Sequence, residues 1–409
     1  MTLYFMQYKE IGKIKMKIIK QDLNYPLMDN NILPEDINNL ILFLQKNPRL
    51  TNGEKVREFE QKWSEWVGVK HSLMVNSGAS ANLVTITALK HLYGDGEIIV
   101  PPLTWVSDIS SVIWNGFTPV FADININNLG MAEDEILKKI TNNTRAVFLT
   151  YVLGFNCLTD RLLNELKKKN IVLIEDVCES HGAKFGDKRL GSFGLASNFS
   201  FYYAHHMSTI EGGMICTNDD AFFDVCKMLR SHGMVREAYL SETKQRYQEE
   251  YPDVYPEFTF AFPAFNVRST EINAVLGLSQ LSRLDKNIVK RNENFKLFLD
   301  NLDSEKYFTD FDCEGMSNYA FVLVLRQPDE ELFQKVTQAL RSANVEFRQG
   351  TAGGGNMLRQ PYLRNFVDAQ MYKQFPNVEH IHQYGLYLGN YPDLDKEKII
   401  SVCNLLNNL

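Results

Sequence analysis

The sequence is poor in cysteine and lacks the cysteine spacings that mark a metal site. Its 6 cysteines are scattered over 409 residues, with no Cys-x-x-Cys pair and no histidine at zinc-finger spacing. A disulfide framework and a structural zinc site are therefore not expected, and no metal ligand is predicted. Free thiols are typical of a reducing compartment, so the sequence predicts a cytoplasmic protein.

Long apolar runs and positive net charge are also missing. The longest apolar region, "IIVPPLTWVSDISSVIW", is interrupted by Pro101, Pro102 and Asp108, so no membrane span is predicted. Lysines interrupt every apolar stretch of residues 1–21, which argues against a signal-peptide core. The formal net charge of -7 gives no reason to expect a nucleic acid or an anionic membrane as partner.

From about residue 72, short apolar segments alternate with segments of helical periodicity. The apolar segments predict strands at "SLMVNSG", "EIIVPP", "TPVFADI", "RAVFLTYVLG", "IVLIEDVC", "NFSFYYA" and "GGMICTN". Strands that alternate with helices favour right-handed crossovers and a mainly parallel sheet covered on both faces. The predicted fold class is therefore α/β.

The last third of the chain has a different pattern, which predicts a smaller α+β domain over residues 287–409. It contains a long helical segment, the strand "NYAFVLVL", the helix "PDEELFQKVTQALRSANV" and a final amphipathic segment. Residues 51–286 form the predicted large domain, and residues 1–50 a segment that packs with the small one. Residues 241–265, rich in tyrosine, proline and charge, are predicted to be an extended excursion.

Parallel α/β sheets bind ligands beyond the carboxyl ends of their strands, and small residues follow the first predicted strand. Ser77, Gly78, Ala79 and Ser80 stand where that strand turns into a helix. Their N–H groups and hydroxyls suit a phosphate at a helix N-terminus. The alternative interpretation is an ordinary helix cap.

Three other strand ends bear side chains of chemical interest. Asp176 ends a buried strand, where a carboxylate suits the protonated nitrogen of a pyridinium ring or, alternatively, caps the next helix. Trp105 follows a strand and a Pro-Pro turn, where it would cover a flat cofactor ring or belong to the core. Ser200 lies on a strand and His205 follows five residues later; a lone histidine is usually a hydrogen-bonded surface residue.

The order and spacing of these motifs resemble the sugar-nucleotide aminotransferases of the DegT/DnrJ/EryC1/StrS group, over nearly the whole chain. The resemblance implies a fold type I, aspartate aminotransferase-like enzyme whose large domain binds pyridoxal 5'-phosphate or pyridoxamine 5'-phosphate. The family's phosphate loop matches "NSGASA", its ring-stacking aromatic matches Trp105 and its pyridinium aspartate matches Asp176. Its cofactor strand is similar to "SFYYAHHMSTIEGG", which contains Ser200.

The resemblance also implies a homodimer with shared active sites. The segment "PAFNVRSTEINAVLGLSQL" is similar to one that family members present to a partner subunit. By that likeness Asn266 would reach the cofactor phosphate of the neighbouring protomer, and Arg268 would contact its substrate. Two-fold homodimers are also the commonest assembly on general grounds.

One departure from the family pattern bears on the reaction. Most members have a lysine where this chain has His205, and an imidazole cannot link covalently to the cofactor aldehyde, although it can move protons near neutral pH. The segment "HHMSTIEGG" looks like that of the GDP-4-keto-6-deoxymannose 3-dehydratase subgroup. This implies dehydration at C3 of a nucleotide-linked 4-keto-6-deoxy sugar, with glutamate as amino donor and with release of ammonia and 2-oxoglutarate. Such an enzyme belongs to dideoxysugar biosynthesis for a surface polysaccharide such as the O-antigen of lipopolysaccharide.

A related group of CDP-sugar dehydrases also has histidine at this position but contains an iron–sulfur cluster. Such a cluster needs four thiolates close together, and the cysteines here are far apart in sequence, so no iron–sulfur cluster is expected.

Further candidates are weaker. Glu179 would orient groups near the cofactor or occupy a solvated helix position. The turn "LRSHGMVRE" offers Arg230, His232 and Arg236 for a diphosphate or a sugar oxygen. Glu346 would accept hydrogen bonds from sugar hydroxyls, and the glycine-rich segment 350–356 beside it is predicted to be a flexible loop. No role is assigned to His206.

Two other functions compete with the dehydratase. One is an aminotransferase of the same family that uses histidine as its only base. The other is a non-catalytic sugar-nucleotide or cofactor-binding protein that has lost its lysine, against which the retained Asp176, Ser200 and phosphate loop argue.

Overall fold

The computed structural model describes residues 22–409, so the lysine-rich stretch 1–21 lies outside the described residues. The strands are β1 (His71–Val75), β2 (Glu97–Val100), β3 (Thr118–Phe121), β4 (Thr144–Thr150), β5 (Val172–Asp176), β6 (Lys184–Phe185), β7 (Lys188–Arg189), β8 (Ala196–Ser200), β9 (Gly213–Thr217), β10 (Ala320–Val324), β11 (Phe347–Gln349) and β12 (Gly385–Gly389). The main sheet has the order β1-β9-β8-β5-β4-β2-β3. Strand β9 is antiparallel to both neighbours, and the other neighbouring pairs are parallel. The predicted mainly parallel α/β sheet is confirmed.

The main sheet is buried on both faces, as the uninterrupted apolar strands require. On β4, Val147 and Leu149 belong to the core on one face, and Ala146 and Phe148 to the core on the other. All four side chains are fully buried. Two helical layers therefore have to cover the sheet, and the polar ends of its strands are left as the place for a ligand.

The described residues form twelve α-helices, which are divided between the large and the small domain. They are α1 (Pro34–Leu44), α2 (Glu54–Val67), α3 (Gly78–Tyr93), α4 (Val106–Trp114), α5 (Glu133–Lys139), α6 (Asp160–Lys169), α7 (Asp220–Arg230), α8 (Ser241–Glu250), α9 (Glu271–Asn301), α10 (Glu330–Ser342), α11 (Pro376–Tyr384) and α12 (Lys396–Asn407). Of the helices between residues 22 and 409, none combines the length and apolarity needed to span a lipid bilayer.

The small domain is built on the antiparallel sheet β10-β12-β11, against which α9, α10 and α12 pack. The N-terminal segment lies along it. Backbone N–H groups of Leu23 and Tyr25 donate to the carbonyls of Ala343 and Asn344 at 2.9 and 3.0 Å. The hydroxyl of Tyr25 donates to the carbonyl of Gly389 at 2.7 Å.

Helix α9 is continuous from Glu271 to Asn301, so the proposed domain boundary at 286/287 falls inside it. The helix packs against α1 and α2 in its first half and against α12 in its second half. One rigid element thus belongs to both domains.

The expected extended excursion at 241–265 is wrong in its first part, because residues 241–250 form helix α8. This helix has no buried residue, so no apolar stripe in the sequence indicated it.

A buried carboxylate at the start of α9 caps helix α2, which begins after Gly53. Glu271 is 3% exposed, and its two oxygens accept hydrogen bonds from the N–H groups of Gly53, Lys55 and Val56 at 3.0, 3.0 and 2.9 Å. These are N–H groups that a helix cannot satisfy internally.

Replacing this cap by Glu271→Ala is expected to lower the free energy of unfolding by about 2 kcal/mol, because one buried and two partly buried N–H groups lose a charged acceptor. The denaturant midpoint measures the change. Glu293→Ala, an exposed glutamate on the same helix, is the matched control and should stay at the wild-type midpoint. Equal midpoints for the two variants would contradict the capping role.

Candidate active site

The carboxyl end of β8 and the N-terminus of α3 touch each other. A Cβ on Gly78 would lie 2.6 Å from the Cβ of Ser200 and 3.1 Å from the Sγ of Cys178. Gly213 is packed in the same way, since a Cβ there would lie 2.3 Å from the carbonyl oxygen of Ser77. The glycines therefore permit the predicted phosphate loop and Ser200 to form one surface.

The predicted phosphate loop begins helix α3. The Oγ of Ser77 accepts a hydrogen bond from the N–H of Ser80 at 3.1 Å and donates to the Oγ of Ser80 at 3.0 Å. Ser77 is thus a helix cap, as the plainer interpretation had it. The N–H groups of Gly78 and Ala79, as first residues of the helix, have no intrahelical acceptor. The cap therefore leaves these two N–H groups free to donate to an anion.

Asp176 ends β5 and is 4% exposed. Its Oδ1 accepts from the N–H of Cys178 at 2.8 Å, and its Oδ2 accepts from the Nδ2 of Asn82 at 3.1 Å. Turns and no helix follow it directly, so the alternative of a helix cap is wrong. Asp176 is therefore a buried carboxylate that hydrogen bonds fix at the end of a strand.

Trp105 precedes helix α4 and is 58% exposed, which excludes the alternative of a core tryptophan. The glycine-rich segment of the small domain packs on the residues before it. A Cβ on Gly353 (φ +58°) would lie 2.3 Å from the carbonyl oxygen of Thr104, and the N–H of Met357 donates to the carbonyl of Pro102 at 2.8 Å. The small domain therefore supports the segment that presents this aromatic face.

Glu179 is half-buried and outside any helix, which rules out the solvated helix position. Its Oε2 accepts from the N–H of Leu153 at 2.9 Å. Burial, with the charge of Asp176 as a smaller cause, raises the pKa of Glu179 to about 7. Near neutral pH it is therefore present in both protonation states.

His205 lies in the loop between β8 and β9, and helix α9 fixes this loop. The side-chain amide of Gln280 accepts from the N–H of Ser208 at 2.9 Å and donates to its carbonyl at 2.8 Å. Asn273 donates to the carbonyl of Thr209 at 2.6 Å. Within the loop, the N–H of His205 donates to the carbonyl of Tyr202 at 3.0 Å.

The imidazole of His205 is held neutral. Its ring centroid lies 5.6 Å from that of Tyr319 and 6.0 Å from that of His181. Burial, and then the nearby positive charge of Arg291, lower the pKa of His205 to about 3. Its Nδ1 is buried and has no hydrogen-bond partner among residues 22–409. The ring is therefore neutral near pH 7 with a nitrogen lone pair free, although the low pKa makes it a weaker base than an ordinary imidazole.

The neighbouring His206 has a different environment. It is 2% exposed, and its Nε2 lies 3.0 Å from the Oγ of Ser317. The Oγ of Ser317 also donates to the carbonyl of His181 at 2.6 Å. His206 thus ties the loop to the chain around Ser317, which indicates a structural role.

A basic cleft of about 500 Å³ contains three of the predicted substrate and phosphate residues, Arg236, Arg268 and Asn266, together with Arg49 and Arg57. The Nε of Arg268 donates to the Oδ1 of Asn266 at 3.1 Å. Residues 266–268 run beside the end of β1, since the N–H of Asn76 donates to the carbonyl of Val267 at 2.9 Å. Glu237 and Glu257 also line the cleft, 3.9 and 3.7 Å from Arg236. The remaining excess of arginine suits an anionic ligand in a chain that is acidic as a whole.

The remaining candidates lie apart from this arrangement or are already paired. His232 is exposed in the turn after α7. The Oε2 of Glu346 accepts from the N–H of Leu27 at 3.0 Å, which attaches the N-terminal segment. Arg230 is buried in an ion pair with Glu60 at 2.7 Å. Binding roles for His232 and Glu346 stay predictions.

Sequence reasoning missed the residues that surround Asp176 and His205. Asn82 lies four residues after Gly78 and therefore on the same side of α3, so helical spacing could have indicated it as a site residue. Gln280, Arg291 and Tyr319 reach the loop from distant parts of the chain, and no local pattern indicated them. Within residues 22–409, no three His, Cys, Asp or Glu side chains are placed to hold a metal ion.

These residues fit a flat pyridine ring with a phosphate group. No cation among the described residues pairs with the carboxylate of Asp176, whose hydrogen bonds include those from the Nδ2 of Asn82 and the N–H of Cys178, so it can still pair with a ring nitrogen. The exposed face of Trp105 suits the ring, and the N-terminus of α3 with Ser200 suits the phosphate. The unpartnered Nδ1 of His205 can serve an atom of the bound molecule.

Comparisons with known proteins agree with this arrangement. The model of the DegT/DnrJ/EryC1/StrS aminotransferase family matches residues 31–407. The GDP-4-keto-6-deoxy-D-mannose 3-dehydratase of Yersinia pseudotuberculosis is 30% identical over 392 residues, which are 94% of this chain and 98% of that protein. A solved structure of the E coli GDP-4-keto-6-deoxy-D-mannose-3-dehydratase with bound hydrated PLP is similar with a TM-score of 0.84 at 28% identity, and the match covers 94% of this chain and 99% of that one. A solved GDP-4-keto-6-deoxymannose-3-dehydratase with a trapped PLP-glutamate geminal diamine has a TM-score of 0.83 at 28% identity, with 94% and 100% covered. The chain therefore belongs to the DegT/DnrJ/EryC1/StrS aminotransferase family.

Proposed function

We propose that the chain is a pyridoxal/pyridoxamine 5'-phosphate-dependent 3-dehydratase that acts on GDP-4-keto-6-deoxymannose, a step of 3,6-dideoxysugar biosynthesis. The observation that supports it is a neutral imidazole, His205, in the loop where family aminotransferases place a lysine. Residues 201–212, which form this loop, contain no lysine. The curated relative and the two solved structures described above are named as this dehydratase.

The cofactor is held by residues that are already in position. Ser77, Ser80 and the first N–H groups of α3 bind its phosphate, with Ser200 beside them. Asp176 pairs with its ring nitrogen, and a protonated nitrogen lets the ring draw electrons from the reacting bonds. Trp105 covers one face of the ring. When bound, the amino form of the cofactor supplies an amine for the sugar ketone and a ring that accepts electrons.

His205 supplies the proton transfer. Its neutral imidazole takes the proton from the C4′ carbon of the cofactor, which allows the hydroxyl at C3 of the sugar to leave. The Gln280 and Ser208 hydrogen bonds fix the loop that carries this ring, and fixed geometry is a large part of catalysis. Because His205 has no amine to release the sugar as an amino sugar by transaldimination, the nitrogen of the dehydrated product would be lost to water as ammonia.

The overall reaction balances with glutamate as the amino donor. Glutamate and the keto sugar give 2-oxoglutarate, ammonia and a sugar with one oxygen fewer. The solved neighbour with a PLP-glutamate adduct supports glutamate in this role. In the basic cleft, Arg49, Arg57 and Arg268 suit the diphosphate of the nucleotide, whereas Arg236 already faces Glu237 and Glu257.

A homodimer with shared active sites follows from the same proposal. Asn266 and Arg268 line the basic cleft, and in this proposal they serve the active site of a second subunit. A cytoplasmic location, favoured by the scattered thiols, stays a prediction, as does the lack of an iron–sulfur cluster.

The decisive assay combines the protein with pyridoxal phosphate, glutamate and GDP-4-keto-6-deoxymannose, and reads the sugar by mass spectrometry. We expect a deoxy ketone lighter by one oxygen atom, with ammonia and 2-oxoglutarate in equal amounts. CDP- and dTDP-linked 4-keto-6-deoxy sugars serve as comparison substrates. An amino sugar that keeps the nitrogen would show an aminotransferase instead, and no 2-oxoglutarate would indicate a binding protein.

The His205→Asn variant is expected to lower kcat at least about 100-fold, the usual size of a lost general base. Cofactor affinity should change little, because the phosphate and ring contacts remain. His91→Asn, an exposed histidine outside the site, is the matched control. A kcat within threefold of wild type would remove His205 from the reaction.

The His205→Lys variant tests whether an amine at this position links covalently to the cofactor. Its amine is expected to attach the cofactor covalently, so that borohydride adds one phosphopyridoxyl group to the protein mass and dehydration is lost. Wild-type protein treated in the same way should keep its unmodified mass.

The Gly78→Ala variant is expected to weaken pyridoxal phosphate binding about tenfold or more, because the added Cβ would displace Ser200 from the phosphate loop. An absorbance titration of the cofactor-free protein measures this. Gly186→Ala makes the same change in a turn where a Cβ meets nothing within 4 Å. Alanine is strained at this position by the φ of +58°, but this control variant should bind the cofactor normally.

A further inference from the structure

A second buried carboxyl group lies beside Asp176. Asp108, in the first turn of α4, is fully buried. The Nδ2 of Asn82 lies 2.7 Å from the Oδ1 of Asp108 and 3.1 Å from the Oδ2 of Asp176. A single amide group therefore bridges two carboxyl groups.

The surroundings of Asp108 are polar and contain no cation. Thr104 and Thr150 both donate to its Oδ2, the latter at 2.7 Å. The titratable groups that face it are Asp176, Cys178 and Tyr362. In the described part of the chain, no lysine, arginine or histidine forms an ion pair with either carboxyl group.

Two neighbouring buried carboxylates without a cation cannot both be ionised at low cost. Burial and the charge of Asp176 raise the pKa of Asp108 well above its usual range. The pair then holds one proton and carries one negative charge. A protonated pyridine nitrogen would balance that charge, whereas two carboxylates would leave the buried site negative.

We propose that Asp108 is a positioning residue that remains a neutral acid and, through Asn82, holds the carboxylate of Asp176 toward the pyridine nitrogen of the cofactor. The inference rests on the proposed function, since it needs a pyridine cofactor. Asp108 itself makes no contact with the cofactor in this proposal. Asp108 acts indirectly, because Asn82 holds the carboxylate of Asp176 in place and because a neutral Asp108 leaves the negative charge on Asp176.

The test uses cofactor-free full-length protein and pyridoxamine 5'-phosphate labelled with 15N in the ring. A binding titration gives Kd, and the 15N chemical shift reports whether the ring nitrogen is protonated. Asp108→Asn, which imitates the neutral acid, should keep Kd within about twofold and the shift of wild type. Asp108→Leu should raise Kd about tenfold and move the shift toward the unprotonated ring, as Asp176→Asn should.

Several outcomes would overturn the inference. If Asp108→Asn behaves like Asp176→Asn, Asp108 acts through its own charge and is not neutral. If Asp108→Leu folds and binds with the wild-type Kd and shift, Asp108 has only a packing role. Should Asp108→Leu fail to fold, Asp108→Ala, which leaves room for water, replaces it with the same expected changes. Wild-type protein that does not bind pyridoxamine phosphate would instead overturn the proposed function.

Discussion

The site depends on the two hydrogen bonds that Gln280 exchanges with the backbone of Ser208. They attach the loop between two strands of the main sheet to a helix of 31 residues. The same helix caps α2 through Glu271 and brings the guanidinium of Arg291 near the histidines. These contacts hold the imidazole of His205 in a defined place, and burial together with Arg291 keeps it neutral.

Burial shifts the pKa of the histidine and the pKa of the carboxyl groups in this site in opposite directions, and both shifts favour the neutral form of the group. It lowers the pKa of His205 and raises that of Asp108, so both groups favour their neutral forms. It raises the pKa of Glu179 to about 7, where both forms of this carboxyl group are present near neutral pH. Asp176 is left as the group that can carry the compensating negative charge. A neutral base and a single carboxylate are what proton transfer beside a protonated ring requires.

Much of the main sheet was predictable because its strands are short, apolar and separated by helical segments, and each of the seven predicted strands is present. Helix α8 and strand β12 were missed for physical reasons. The helix buries nothing, and "GLYLG" is too short and too rich in glycine to indicate a strand. Glu346 and Arg230 show the limit of motif reasoning, since their charges have partners, Leu27 and Glu60, that are more than a hundred residues away.

The sequence alone determined the class of fold, the strand ends at which Ser77, Asp176 and Ser200 stand, and the replacement of a lysine by His205, because these follow from local pattern and from residue identity. Only the tertiary structure decided which of several plausible roles each side chain has. In the sequence, Asp108 is only a charged residue that interrupts an apolar run. The packing of α4 against α3 places it beside Asp176. The protonation of a buried group depends on what surrounds it in space, and those neighbours come from parts of the chain that local sequence does not connect.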